Sequence, residues 1–223
     1  MFDLTICEGS VLKFLNLRIV QSPSGISFDQ TCHIQNDILS ENFQDIPSSS
    51  ITRQLYPFPL EPSFEKQLYD AAPLTGIDLV NAIKRFRFPF SHIVGSLMHI
   101  ASVSRPDLSY CGMRYFGYMS CPNLPIFEAL HLTMCYLYYH PHLPIMYPSK
   151  PSNLSLNTHW KTRFAKYLPG DYGDGLATFA EADFTRCLCT RRSVSANFHL
   201  LGGVIISWSC KKAAYNYPSL QRC

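Results

Sequence analysis

Between Phe88 and Pro141 the sequence runs in three apolar blocks divided by prolines, and this punctuation constrains the fold more than any other feature. Ile93, Leu97 and Ile100 recur at helical spacing up to Ser104. Arg105-Pro106-Asp107 then ends one helix and starts the next, because proline has no N–H to donate and fits only a first turn. A second apolar stretch runs from Leu108 to Met119. Pro122 to Pro125 opens a third, from Ile126 to about Tyr139, closed by His140-Pro141. The pattern predicts three consecutive helices, within a helical region over 88–147 that ends in a candidate strand at Leu143 to Tyr147. The most apolar run, Phe88 to Val103, is broken by Ser91, His92, Ser96 and His99 and falls short of the ~20 residues of a membrane span.

The flanking segments read differently. Val11 to Val20 alternates with period two, Leu15, Leu17 and Ile19 against Phe14, Asn16 and Arg18, which predicts one half-buried strand. Ser22-Pro23-Ser24-Gly25 supplies a turn, and Ile26 to Asp29 alternates again, so the segment 1–43 is expected to be a β-hairpin followed by a short amphipathic helix carrying Ile34, Ile38 and Leu39. Scattered prolines and the run Ser48 to Ser50 make 44–87 a connector, with a short helix near Asp78 to Lys84. Residues 148–174 read as a polar linker. In 175–223 three strand-like runs appear, Ala177 to Ala182, Val194 to Leu201 and Val204 to Trp208, the last two joined by Gly202-Gly203 as a tight turn.

Composition limits the function. With 47% hydrophobic and 16% charged residues in 223, the chain has enough apolar material for one good core or two small ones. A net charge of +3 is too small to point to nucleic acid by itself. Nine cysteines at irregular spacing, with no basic-then-apolar leader after Met1, predict free thiols in a reducing compartment: an intracellular protein, cytoplasmic or nuclear, not secreted and not membrane-bound.

The order of the pieces resembles copia-type retrotransposon Pol polyproteins along nearly the whole chain. Gly9-Ser10-Val11-Leu12-Lys13-Phe14-Leu15-Asn16-Leu17-Arg18-Ile19 is similar to the strand "G-x-L-x-x-F-L-G-I-x-I" that follows the family's polymerase site. Phe90-Ser91-His92-Ile93-Val94-Gly95-Ser96-Leu97-Met98-His99-Ile100-Ala101 and Ser104-Arg105-Pro106-Asp107-Leu108-Ser109-Tyr110 resemble "Y-x-x-x-V-G-S-L-x-Y-L-A" and "T-R-P-D-I-x-Y". Further on, Phe179-Ala180-Glu181-Ala182-Asp183-Phe184 resembles "Y-S-D-A-D-W", Arg191-Arg192-Ser193-Val194-Ser195 resembles "R-R-S-T-S", and Gly202-Gly203 to Lys211-Lys212 resembles "G-G-x-P-I-S-W-x-S-K-K", all in the family's ribonuclease H region. The resemblance implies an α+β fold. A reverse-transcriptase thumb/connection segment of β-hairpin and helices would be followed by an incomplete ribonuclease H-like three-stranded sheet.

What the sequence lacks shapes the functional expectation. The family's polymerase holds two Mg²⁺ ions on a "Y-V-D-D" turn, and no such turn is present; the chain is expected to begin just downstream of it. The resemblance makes Glu181 and Asp183 vestigial catalytic carboxylates of the nuclease. Glu181 stands where the family has aspartate, and the added methylene displaces its oxygens by about 1 Å where such sites tolerate roughly 0.5 Å. The family's next acid lies on a helix reading "S-S-T-E-A-E-Y", whereas residues 213–223 contain no acid and are expected to be frame-shifted. Magnesium is therefore implied only for the intact family enzyme, and no complete metal site or cofactor is expected in this chain. Arg191, Arg192, Lys211 and Lys212 are the candidate contacts to the backbone of an RNA/DNA hybrid, against solvated strand ends as the plain alternative.

Other constellations carry less. Cys187, Cys189, His199 and Cys210 lack the paired spacing of structural zinc. His140-Pro-His142 reads as helix termination. Arg105 is read as a partner of Asp107, itself a helix cap, rather than as a phosphate ligand. Trp208 and Tyr136, Tyr138 and Tyr139 are read as packing residues. The expected function is a polyprotein fragment, inactive alone and at most nucleic-acid binding. The alternatives are a non-catalytic scaffold subunit paired with an intact polymerase, the rest of the polyprotein being its partner, and a Mg-dependent hybrid nuclease completed in trans. The region after Gly175 is expected to be prone to aggregation through its unpaired sheet edge.

Overall fold

The computed structural model describes residues 9–40, 60, 67–68, 71–149, 176–183, 193–201 and 204–213. Among them the fold is mixed α/β, with two antiparallel sheets and five α-helices. The stretch Val11 to Val20 is two strands rather than one. β1 (Val11–Phe14) and β2 (Leu17–Ser22) pair with Phe14 opposite Leu17. The turn between them places Leu15 and Asn16 at φ 47 and 66, both left-handed, as in the two-residue turns whose twist matches that of a hairpin. Alternation is the same along a hairpin arm and a straight strand, and Asn16 is the only residue of the pair that favours positive φ, so local pattern concealed the turn. β3 (Gly25–Asp29) continues the meander, with Ser22 opposite Gly25.

A fourth strand closes this sheet from far along the chain. β4 (Ile145–Pro148) pairs antiparallel with β3, giving the order β1-β2-β3-β4. Gly25 makes the approach possible: at φ 143, an added Cβ would stand 2.1 Å from the carbonyl oxygen of Tyr147.

The expected helix after β3 is present as α1 (Thr31–His33), running directly into a π-helical turn over Ile34–Leu39 that buries Ile34, Ile38 and Leu39. α2 (Gly76–Phe86) is longer than the sequence suggested, and it stops where Arg87 turns left-handed at φ 59. α3 (Phe90–Val103) buries Phe90, Ile93, Val94, Leu97, Ile100 and Ala101, the helical stripe expected from spacing. After a short 3-10 turn at Pro106–Leu108 come α4 (Ser109–Phe116) and α5 (Leu124–Tyr139). α5 is the central element, buried on several sides. Its N-cap is Asn123, whose side chain accepts from the Ile126 amide at 3.0 Å and donates to the carbonyl of Leu68 at 3.0 Å. Phe86, Phe88 and Phe90 surround Phe127 of α5 with ring centroids 5.2 to 6.0 Å away.

The second sheet is β5 (Leu176–Asp183), β6 (Val194–Leu201) and β7 (Val204–Lys212), in that order and antiparallel. β7 extends four residues beyond the Trp208 boundary read from sequence. Residues 202 and 203 lie outside the described residues, but Leu201 opposite Val204 is the register a two-residue turn requires. Most of the connector over 44–87 and the linker over 148–174 also lie outside. No helix among the described residues is long and apolar enough to cross a membrane.

Candidate functional site

Strand register assigns the candidate residues to faces of the second sheet. Glu181 lies opposite Ala196, which lies opposite Cys210; Asp183 lies opposite Val194, which lies opposite Lys212. Residues directly opposite share a face. Glu181, Asp183 and Lys212 therefore stand on one face and Lys211, in the row Ala182–Ser195–Lys211, on the other. In register, positions 181 and 183 lie two residues apart on β5, and position 212 lies two strands across from position 183. The sheet separates the two lysines, so a single ligand lying on one face meets only one of them. Arg191 and Arg192 lie outside the described residues.

The same face carries an aromatic row. Phe179 is opposite Phe198, and Phe198 opposite Trp208. The two phenyl rings stack at 4.7 Å. Trp208 Nε1 donates to the carbonyl of Ala101 at the end of α3, 2.7 Å away, and so anchors the sheet on the helical body. The opposite face is polar, with Thr178 bonded to His199 at 2.9 Å and Ser209 donating to Asn197 at 3.1 Å.

A pair of Mg²⁺ ions a few ångströms apart needs a cluster of hard oxygen donors. Glu181 is exposed, and its row partners Ala196 and Cys210 offer no oxygen ligand. β6 and β7 contain no acidic residue, and no group of three or more His, Cys, Asp or Glu side chains able to hold a metal occurs among the described residues. The residues present do not fit a two-ion centre. The zinc constellation is divided as well: Cys210 and His199 stand on opposite faces of the sheet, and Cys187 and Cys189 lie outside the described residues. Burial raises the Cys210 thiol's pKa, away from the thiolate a metal takes.

Arg105 takes the ion-pair role expected of it, in a buried setting. Its side chain is 2% exposed and forks onto Asp107 with Nη2 to Oδ2 at 2.7 Å and Nε to Oδ1 at 2.9 Å. Nη1 donates to the carbonyl of His140 at 2.8 Å. Tyr136 donates its hydroxyl proton to Asp107 at 2.9 Å. The expected ion pair is present, but Asp107 is held by Arg105 and Tyr136 and caps neither flanking helix with its side chain. Burial, with the negative charge of Asp107 adding to it, pushes the Tyr136 hydroxyl up to about 12, so it stays a donor. The cluster ties the start of the 3-10 turn to the end of α5. His140 packs on the Tyr136 ring at 4.8 Å, whereas His142 meets the Thr31 hydroxyl at 3.0 Å, so the two histidines serve separate partners.

Two polar links escaped the sequence reading. Arg18 and Asp29, opposite each other on β2 and β3, form an ion pair at 2.9 Å, and Asp29 also accepts from the Thr31 amide at 2.9 Å. Gln30 accepts from the Ser104 hydroxyl at 2.9 Å and meets His99 at 3.2 Å, joining the first sheet's end to α3. Opposed Arg and Asp in a hairpin is a readable signal once the register is right; the single-strand reading of Val11 to Val20 hid it.

No family model matches the chain, and no solved structure matches it. It is similar to the "Uncharacterized mitochondrial protein AtMg00810" of Arabidopsis thaliana, with 25% identity over 211 residues, covering 92% of this chain and 68% of that protein. The similarity spans both sheets and the helical body.

Proposed function

We propose that this chain is a retrotransposon-derived polyprotein segment, running from the end of a copia-type reverse transcriptase into a ribonuclease H-like sheet, that has lost catalysis and retains at most contact with nucleic acid. The single observation that carries the reading is the acid-poor face around Glu181. A nuclease sheet needs oxygen ligands beside its first-strand carboxylates, and here the partner strands present Val194, Ala196, Cys210 and Lys212. The motif resemblance and the similarity, over 92% of this chain, to a protein that is itself uncharacterized support the descent. Lys211 and Lys212, with Arg191 and Arg192, remain the residues for an RNA/DNA backbone, and the division of the two lysines between faces fits weak, salt-sensitive binding.

The test is incubation of the full chain with a labelled RNA/DNA hybrid and Mg²⁺. The expected result is no cleavage, with weak binding lost in the Lys211→Glu, Lys212→Glu double variant. Mg²⁺-dependent cleavage abolished by Glu181→Gln would sink this reading in favour of a nuclease whose missing carboxylates come from another chain. A second reading, a non-catalytic scaffold on an intact polymerase, is favoured by the exposed Phe14 and Leu15 at the β1–β2 tip, 66% and 74% accessible. Co-sedimentation with such a polymerase, lost on Phe14→Ser with Leu15→Ser, is the result it requires.

A further inference from the structure

β5 is the outer strand of its sheet, and the hydrogen-bond phase shows what it offers. The Ala213 amide donates to the Ser193 carbonyl at 2.8 Å, which makes the Ser193–Ala213 couple a hydrogen-bonded pair between β6 and the end of β7. Alternation along β6 then turns the backbone groups of Val194, Ala196, Phe198 and Leu200 toward β5. By the same rule Leu176, Thr178, Ala180 and Ala182 aim their amides and carbonyls away from the sheet, where no further strand follows among the described residues. All four side chains are exposed.

Natural edges are protected by Lys, Pro, bulges or a covering element. β7 is so protected: it carries Lys211 and Lys212, its register breaks opposite His199 and Leu200, and Tyr147 donates its hydroxyl proton to the Ile205 carbonyl at 2.9 Å. Among the described residues β5 has none of these on its outward-bonding positions, which are leucine, threonine and two alanines over an eight-residue strand.

We propose that β5 pairs antiparallel with β5 of a second copy of this chain, about a two-fold axis through Phe179, merging two three-stranded sheets into one of six. In that register Phe179 faces Phe179 of the other copy, Ala180 faces Thr178, Glu181 faces Ala177 and Ala182 faces Leu176. Every outward-bonding residue meets another, so the ladder is complete, and the interface is isologous and closed. Charge disfavours two competing arrangements. Parallel pairing sets Glu181 beside Glu181, and an antiparallel register centred on Ala182 sets Glu181 opposite Asp183. The Phe179 register keeps the two Glu181 carboxylates roughly 14 Å apart along the strands, beyond the screening length at physiological salt. It also continues the row Trp208–Phe198–Phe179 through the axis, placing the phenyl pair where cross-strand side chains approach most closely.

Sedimentation velocity on the full chain decides the matter. The expected result is a concentration-dependent species of twice the 25.4 kDa chain mass, and its loss in Ala180→Pro, which removes an outward amide while sparing the β5–β6 ladder. Should Ala180→Pro fail to fold by circular dichroism, Ala180→Lys, which places a guarding charge on the edge, is expected to yield the monomer with an unchanged spectrum. A monomer at every concentration, an open series of higher oligomers, or a dimer that survives Ala180→Lys overturns the proposal.

Discussion

Arg105 shows how much a single side chain commits the helical body. A guanidinium 2% exposed is tolerable only because its donors are taken up by Asp107 and by the His140 carbonyl. Arg105→Ala would strand Asp107 and Tyr136 around a cavity, and removing one partner of a buried pair costs about 3–5 kcal/mol. A urea midpoint shifted by that amount, with the slope of the transition unchanged, is the expected result. Arg105→Lys is expected to recover only part of the loss, since an ammonium cannot reproduce the fork. Asp29 carries a pH dependence. Burial, the largest single influence, pushes its carboxyl up, but the bonds from the Thr31 hydroxyl and amide and from Arg18, with the Arg18 charge, together hold it below the ordinary range. The folded state thus binds fewer protons than the unfolded chain at this site. Its contribution to stability is present above the unfolded carboxyl value near 4 and is lost as pH falls through the lower folded value. Thermal melts from pH 6 to pH 2 are expected to show that decline, and Asp29→Asn is expected to flatten it.

Among the elements, the β3–β4 pairing has the narrowest tolerance. Gly25→Ala would drive a methyl into the Tyr147 carbonyl and hold an alanine at φ 143, both at the first residue of the β3–β4 ladder. A loss of roughly 3 kcal/mol or more is expected, with faster amide exchange in β4, because backbone on both sides must move. Gly25 was legible in the sequence only as turn chemistry; its close approach to a strand 120 residues later was not. The same division runs through the chain. Ile93, Leu97 and Ile100 announced α3 because a helix carries its period locally, and Val194 to Leu201 announced β6 for the same reason. The β1–β2 turn was missed because Leu15 is an unusual residue at positive φ, and β4's partner was missed because strand pairing is non-local. For the candidate site, the sequence put Glu181 on a strand ending at Ala182, and the structure extends that strand to Asp183. Only register could set Lys211 and Lys212 on opposite faces and show which of them shares a face with Glu181.

At the scale of the whole molecule the question is how the second sheet is held. Among the described residues, side-chain bonds cross from it to the rest at Trp208 Nε1 to the Ala101 carbonyl and at the Tyr147 hydroxyl to the Ile205 carbonyl. The first occupies a carbonyl in the last turn of α3, a position with no partner further along the helix, so the sheet finishes a helix end that the helix cannot finish itself. Trp208→Phe keeps an aromatic ring in the row with Phe198 while deleting the donor, and leaving that carbonyl unmade costs about 1–2 kcal/mol. If the sheet is held as a unit through these links, the cost falls on docking rather than on the core. Amides of β5, β6 and β7 are then expected to exchange roughly 5–30-fold faster while those of α3 and α5 keep their protection. Uniform acceleration across both bodies would mean that the sheet and the helices unfold as one cooperative block, and that the anchor at Ala101 belongs to the common core.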